Sequence, residues 1–198
     1  MLKDFFKKIK GFYLDLINTG ERPILEKKLE EIIPDHQFAY KFAANYVKNK
    51  TILDFGCGGG YGTEFLSRFS VGKVTGYDID KKTIVITSRF FKKKNLCFIS
   101  DLNSLGHYDV VTMFQVIEHF SNSFRNEILR RISSEYLKVK GIFICSTPNK
   151  LVTSSGLKKP VMVFHICEYT PTILNKELGK YFKKVKIYGQ TEVLEETK

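Results

Sequence analysis

The sequence predicts an α/β fold, a mostly parallel sheet of about six to seven strands with helices on both faces. Short apolar runs alternate with stretches of helical character through the whole middle of the chain, the pattern of strands joined by crossover helices. The first run, Thr51-Ile52-Leu53-Asp54-Phe55, enters Gly56-Cys57-Gly58-Gly59-Gly60. Glycines this dense after a strand let a small molecule lie against the backbone. A second run, Val74-Thr75-Gly76-Tyr77, ends in Asp78, so strand, glycine loop, helix, strand and acid follow one another as they do around nucleotide-type ligands.

Taken in order, the strand-like runs fall at about 51–55, 73–77, 96–100, 108–114, 139–146 and 183–189. Helices are expected between them at about 60–69, 81–91, 123–137 and 171–181, with two or three more before the first strand. Thr170-Pro171 gives the last of these an N-cap followed by a proline in its first turn. No repeat, low-complexity tract or linker divides the chain, so residues 1–198 read as one domain, with a helical part at 1–48 and a sheet-forming core at 49–190.

Composition narrows the class. A chain of 198 residues with 43% hydrophobic and 27% charged residues is that of a soluble globular domain with a real core. No run approaches the roughly 18 apolar residues that span a bilayer. The N-terminus lacks a continuous apolar region followed by a small-residue cleavage site, so secretion is not indicated. Cys57, Cys97, Cys145 and Cys167 are far apart, without a C-x-x-C pair, which fits buried thiols in a reducing cytoplasm. The net charge of +11 attracts anions, yet many lysines sit in small solvated clusters, and no RNA-binding module accompanies them.

Residues 2–17 carry Leu2, Phe5, Phe6, Ile9, Phe12, Tyr13, Leu16 and Ile17 at helical spacing, with Lys3, Lys7, Lys8 and Lys10 mainly on the other side. Such a helix packs its apolar face on its own domain; peripheral contact with a membrane surface is the alternative.

The glycine loop does not fit a dinucleotide. Counting six from Gly56, Gly58 or Gly60 reaches Tyr61, Thr63 or Phe65, so G-x-G-x-x-G fails in every register. What fits is Asp54-x-Gly56-x-Gly58-x-Gly60. A pyrophosphate favours an open helix N-terminus without nearby negative charge, whereas an ammonium group is accommodated by an acid such as Asp54. The segment resembles motif I of the class I S-adenosylmethionine-dependent methyltransferases, with Asp78 at that family's ribose-binding position. The expected fold is then Rossmann-like, with N-terminal helices covering the cofactor cleft.

Further segments extend the likeness from about residue 18 to Gln190. They are Thr19-Gly20-Glu21-Arg22-Pro23, His36-x-x-x-Tyr40-x-x-Ala43-Ala44, Val116-Ile117-Glu118-His119, Ser146-Thr147-Pro148-Asn149 and Phe164-His165-x-x-Glu168-Tyr169-Thr170-Pro171. Together they resemble a group within the superfamily often found with glycan-assembly enzymes. The family usually ends with a seventh, antiparallel strand, for which only Thr191-Glu192-Val193-Leu194 remains. A minimal sheet or a dimer contact would then deal with the exposed edge, leaving monomer and homodimer both open.

The resemblance implies roles. Gly56, Cys57, Gly58 and Gly60 bring the backbone to the cofactor's amino-acid part, and Asp78 with Ile79 holds the ribose, a carboxylate having two oxygens for a cis-diol. Asp101 and Leu102 meet the adenine edge, and Phe114-Gln115 lies beneath the sulfonium. Arg22, His36 and Tyr40 close over the methionine carboxylate, with helix packing as the plain alternative. S-adenosyl-L-methionine is the implied cofactor and S-adenosyl-L-homocysteine its product. An oxygen acceptor needs a base, for which His165 and His119 are the candidates, beside Glu118. Some RNA 2′-O-methyltransferases and ubiquinone-pathway O-methyltransferases resemble this chain around Glu-x-x-Glu-His, a metal-binding motif. Gln115 replaces the first acid here and is a poor ligand for a hard cation, which leaves Glu118 and His119, with His165 as a third candidate; no metal is expected. The acceptor is read as a small molecule or glycan-type hydroxyl. An RNA methyltransferase is the alternative, and so is a cofactor-binding protein without catalysis.

Overall fold

The computed structural model describes residues 34–190. Five strands form one sheet in the order β3-β2-β1-β4-β5, with every neighbouring pair parallel: β1 is Ile52–Phe55, β2 Val74–Tyr77, β3 Leu96–Ile99, β4 Tyr108–Phe114 and β5 Leu137–Ser146. The order reverses between β1 and β4, and open α/β sheets bind ligands at such a switch point, beyond the strand C-termini.

Helices α1 (Pro34–Ala44), α2 (Tyr61–Ser67), α3 (Lys81–Phe90), α4 (Asn122–Arg131), α5 (Lys150–Thr153) and α6 (Pro171–Leu178) surround the sheet. Strand side chains alternate between its faces. Leu53, Phe55, Val111 and Met113 pack with Ile128 and Leu129 of α4 and Leu178 of α6. Ile52, Val110 and Phe114 pack instead with Ala39, Tyr40 and Ala43 of α1 and Phe65 and Leu66 of α2. Both faces are covered, which is why β1 is buried along its whole length.

Capping matches the local sequence. Asp80 accepts the Lys82 amide at the start of α3, and Thr170 accepts the Ile173 amide ahead of Pro171 in α6. Arg125 of α4 ties to α6 through Glu177 at 3.2 Å, a pair that is largely buried on both sides.

The fold departs from expectation in two places. The helix expected to run to 137 ends at Arg131, and a π-turn over Ile132–Tyr136 leads directly into β5. That strand starts early and bulges: Tyr108 faces Leu137, but Val110 already faces Ile142. Gly141 allows the bulge, because a Cβ there would lie 3.0 Å from the Lys138 carbonyl oxygen and 3.1 Å from that of Tyr108.

Among the described residues the sheet has five strands, where six to seven were expected over the whole chain. Residues 183–189 alternate lysine with apolar residues, yet among the described residues they pair with no strand. Their attachment is by side chain, with the Tyr188 ring 5.2 Å from that of Phe42 in α1. Alternation alone does not make a strand, because a strand needs a ladder partner. Of the helices expected before the first strand, α1 is described. Arg22, the 2–17 segment and the 191–194 stub lie outside the described residues. No helix among the described residues is long and apolar enough to cross a membrane.

Candidate active site

Asp54, at the end of β1, is almost fully buried and surrounded by hydroxyl donors. Thr63 of α2 donates to it at 2.6 Å, Thr112 of β4 at 2.8 Å and Tyr40 of α1 at 3.0 Å. Burial pushes its pKa up, and the three hydroxyl bonds oppose the rise. Burial, with the Asp54 charge beside it, likewise holds the Tyr40 phenol well above its usual value. Asp54 therefore joins β1, β4, α1 and α2 at one point. Its carboxylate faces these hydroxyls, and the charge partner expected from the sequence, a ligand ammonium, is not needed to account for its burial.

The glycine loop follows at once. Gly56, Gly58 and Gly60 all have positive φ, at 79°, 50° and 76°, a region L side chains rarely adopt. Their surroundings differ. A Cβ at Gly56 would meet Val116 at 2.5 Å, and one at Gly60 would meet Phe98 at 2.7 Å, whereas nothing lies within 4 Å of one at Gly58. Two glycines thus seat the loop on the protein, and the third faces open space. Cys57 packs beneath, its amide donating to the Tyr77 carbonyl at 2.9 Å, and burial pushes its thiol well up.

Asp78, buried at the end of β2, accepts the Gly58 amide at 2.9 Å and the Asp80 amide at 2.9 Å. The acid and the loop are therefore one unit, oriented by backbone donors. Ile79 is half-buried beside it. The loop and acid fit an amino-acid and ribose ligand: backbone faces open space at Gly58, and a fixed carboxylate stands next to it.

The other expected contacts are distributed around this centre. Asp101 uses its carboxylate to cap the short turn Leu102–Ser104, accepting the Asn103 amide at 3.0 Å and the Ser104 hydroxyl at 3.1 Å, while Leu102 turns into the core. Phe114 stands edge-on to the Tyr40 ring at 4.8 Å. Gln115 has φ 53°, unusual for a residue with a side chain, and is held by Ser146 through its backbone amide at 3.0 Å and its side-chain amide at 3.2 Å. Such outliers cluster at functional sites. Nothing in the sequence signals this one.

Tyr40 and His36 are tied to protein partners. A Cβ on Gly62 would collide with the Tyr40 ring, so that ring lies directly on α2. The His36 Nδ1 is 2.5 Å from the Tyr61 hydroxyl. These are the protein contacts the two side chains make around the glycine loop's helix.

A second cluster forms where β4 ends. Val116, against Gly56, leads into the turn Ile117–His119. The carbonyl of the fully buried Glu118 accepts the amides of Ile166 at 2.9 Å and Cys167 at 3.2 Å, drawing segment 164–168 onto the turn. His119 and His165 then lie ring to ring, with centroids 5.1 Å apart. The His119 Nδ1 is 3.1 Å from the Phe164 carbonyl oxygen, and the His165 Nδ1 is 2.8 Å from Glu168 Oε1. The Thr153 hydroxyl donates to the other Glu168 oxygen at 2.7 Å. Burial raises the Glu168 pKa, but the bonds from Ser154, His165 and Thr153 outweigh it and leave the carboxyl below its usual range.

Each imidazole therefore has a protein oxygen at its Nδ1, and such a contact sets which ring nitrogen carries the proton. Possible ligand atoms of Glu118, His119 and His165 lie within 4.8 Å of one another, an arrangement that would admit a divalent cation. These are the three candidates that the sequence leaves once Gln115 replaces the first acid of the metal-binding motif. Glu168 and Thr153 were missed as site residues; the His-x-x-Glu spacing was the available signal.

A parallel sheet with this switch point, glycine loop and fixed acid defines a cofactor-binding α/β domain. A family model described as a methyltransferase domain matches residues 26–181, and the chain belongs to that family. A probable S-adenosylmethionine-dependent methyltransferase of Mycolicibacterium smegmatis is 30% identical over 81% of this chain and 62% of its own length. A ubiquinone biosynthesis O-methyltransferase of Pelagibacter ubique is 32% identical over 63% of this chain and 52% of its own length. The chain thus spans about half to three-fifths of these curated relatives. Among solved structures, an S-adenosylmethionine-dependent methyltransferase from Mesorhizobium loti superposes with TM-score 0.59 at 14% identity, covering 77% of this chain and 82% of that one, a likeness of fold. S-adenosylmethionine is the cofactor of this class.

Proposed function

We propose that this chain transfers the methyl group of S-adenosylmethionine to an oxygen of a small-molecule or glycan-type acceptor, with His165 as the general base. The observation that carries the reading is the His165–Glu168 pair at 2.8 Å, on a segment held to the turn that follows the glycine loop's neighbour Val116. The cofactor supplies an electrophilic methyl on a sulfonium sulfur. The protein's part is to align the acceptor and receive its proton. Glu168 holds Nδ1 protonated and so presents Nε2 as acceptor. Alignment is worth roughly 7–11 kcal/mol in favourable cases, and a positioned base adds about 10²–10⁴-fold. The ubiquinone-pathway relative, an O-methyltransferase by name, supports an oxygen acceptor.

A radiolabelled methyl-transfer screen over nucleotide sugars, lipid-linked glycans and RNA tests the reading. Transfer only to RNA, with activity falling steeply as salt screens phosphate contacts, would overturn the acceptor class. Binding of S-adenosylhomocysteine without transfer to any acceptor would overturn catalysis.

A second reading is favoured by the convergence of Glu118, His119 and His165 within 4.8 Å. In it, these three would hold a divalent cation, which would supply a Lewis acid for the acceptor hydroxyl, and Glu168 orients the His165 imidazole from behind.

A further inference from the structure

Residues 150–168 form a closed loop whose neck is the parallel bridge between Asn149 and Tyr169, reinforced by the Lys150 amide donating to the Tyr169 carbonyl at 2.9 Å. Ser154, fully buried, is its internal anchor. Its hydroxyl accepts the Val161 amide at 2.9 Å, and its carbonyl accepts the Leu157 amide at 3.1 Å. The two limbs are thereby tied together, each presenting apolar side chains to solvent. Leu151, Val152, Leu157, Val161, Val163 and Ile166 are all exposed, Val152 to 78% and Val163 to 82%. Soluble surfaces seldom gather so many large apolar groups in one loop.

The charge of the loop indicates its partner. Lys150, Lys158 and Lys159 lie in it, and no aspartate or glutamate occurs between Tyr136 and Cys167. Its one acid, Glu168, is buried and turned inward to His165 and Thr153. Apolar groups bordered by lysines alone match an anionic lipid surface, where acyl chains receive the former and headgroups the latter. A second copy docked through the same face would set lysine against lysine.

We propose that loop 150–168 is an interfacial element that docks this protein on anionic membrane surfaces. His165 sits in the same loop, so docking would hold the candidate site at the bilayer boundary. The inference stands apart from the acceptor assignment above.

The test is co-sedimentation of the full chain with vesicles of phosphatidylcholine containing about 30% phosphatidylglycerol, against pure phosphatidylcholine. Binding to the anionic vesicles is expected, with a loss of about fivefold or more in V152D/V163D and in K158A/K159A. Circular dichroism shows whether each variant stays folded, and the lysine variant, which alters solvated side chains alone, carries the test if the other unfolds. No binding by the wild type overturns the proposal. So does binding unchanged in both variants, which would place the contact elsewhere, segment 2–17 included. A wild-type dimer that V152D/V163D converts to monomer would assign the face to a second copy and overturn it too.

Discussion

Glu168 Oε1 lies 2.8 Å from His165 Nδ1, three residues earlier in the chain, while its other oxygen receives the Thr153 hydroxyl at 2.7 Å. A buried carboxylate thus fixes an imidazole that a loop alone would leave adjustable. Substituting Glu168→Gln keeps the shape and removes the charge. Methyl transfer should fall about 10²-fold or more, with S-adenosylhomocysteine affinity nearly unchanged in calorimetry.

The same pair predicts a pH effect on stability. The Glu168 pKa is lowered in the folded protein, so its contribution is present above the unfolded value of about 4.3 and is lost as pH falls through the folded one. Wild type should melt above Glu168→Gln at neutral pH. The gap should narrow below about pH 4, as thermal melts across that range would record.

Gly58 and Gly60 should separate binding from stability. Gly58→Ala places a methyl in open space and should weaken S-adenosylhomocysteine binding about tenfold or more, at a backbone cost of about 1–2 kcal/mol. Gly60→Ala meets Thr87 and Phe98 in addition to the same backbone strain, so urea titration should find it the less stable of the two.

Asp78→Ala should abolish measurable S-adenosylhomocysteine binding, because it removes the expected diol acceptor and the carboxylate that orients the Gly58 amide at 2.9 Å. Tyr40→Phe removes one of three hydroxyls on Asp54 and should cost about 1–2 kcal/mol of stability, with a far smaller effect on affinity. Equal losses of affinity in both variants would return Tyr40 to the cofactor.

Full activity in excess EDTA is expected if His165 acts as a base. Loss of activity that Mn²⁺ or Zn²⁺ restores, and that His119→Ala prevents from being restored, would select the cation reading at Glu118, His119 and His165.

The cofactor side was legible in the chain because its elements are local. Strand, glycines and acid occupy residues 51–78, and their spacing carries the geometry. The acceptor side was legible only as fragments. His119 and His165 were singled out as histidines in suggestive segments, but their approach to 5.1 Å depends on Glu118's carbonyl receiving amides from 48 and 49 residues on. The alternation at 183–189 resembles a strand, yet among the described residues it finds no ladder partner, and pairing is a property of neighbours.

Class and cofactor were therefore decided by sequence: the failed dinucleotide spacing, Asp54-x-Gly56-x-Gly58-x-Gly60 and Asp78 specify a backbone that approaches a small ligand. Only the tertiary structure decided that Asp54 is a junction for hydroxyls, that Glu168 backs His165, and that the apolar loop between Asn149 and Tyr169 faces outward. Glycine spacing acts through the local backbone, whereas burial and side-chain partnership arise from contacts between residues distant in the chain.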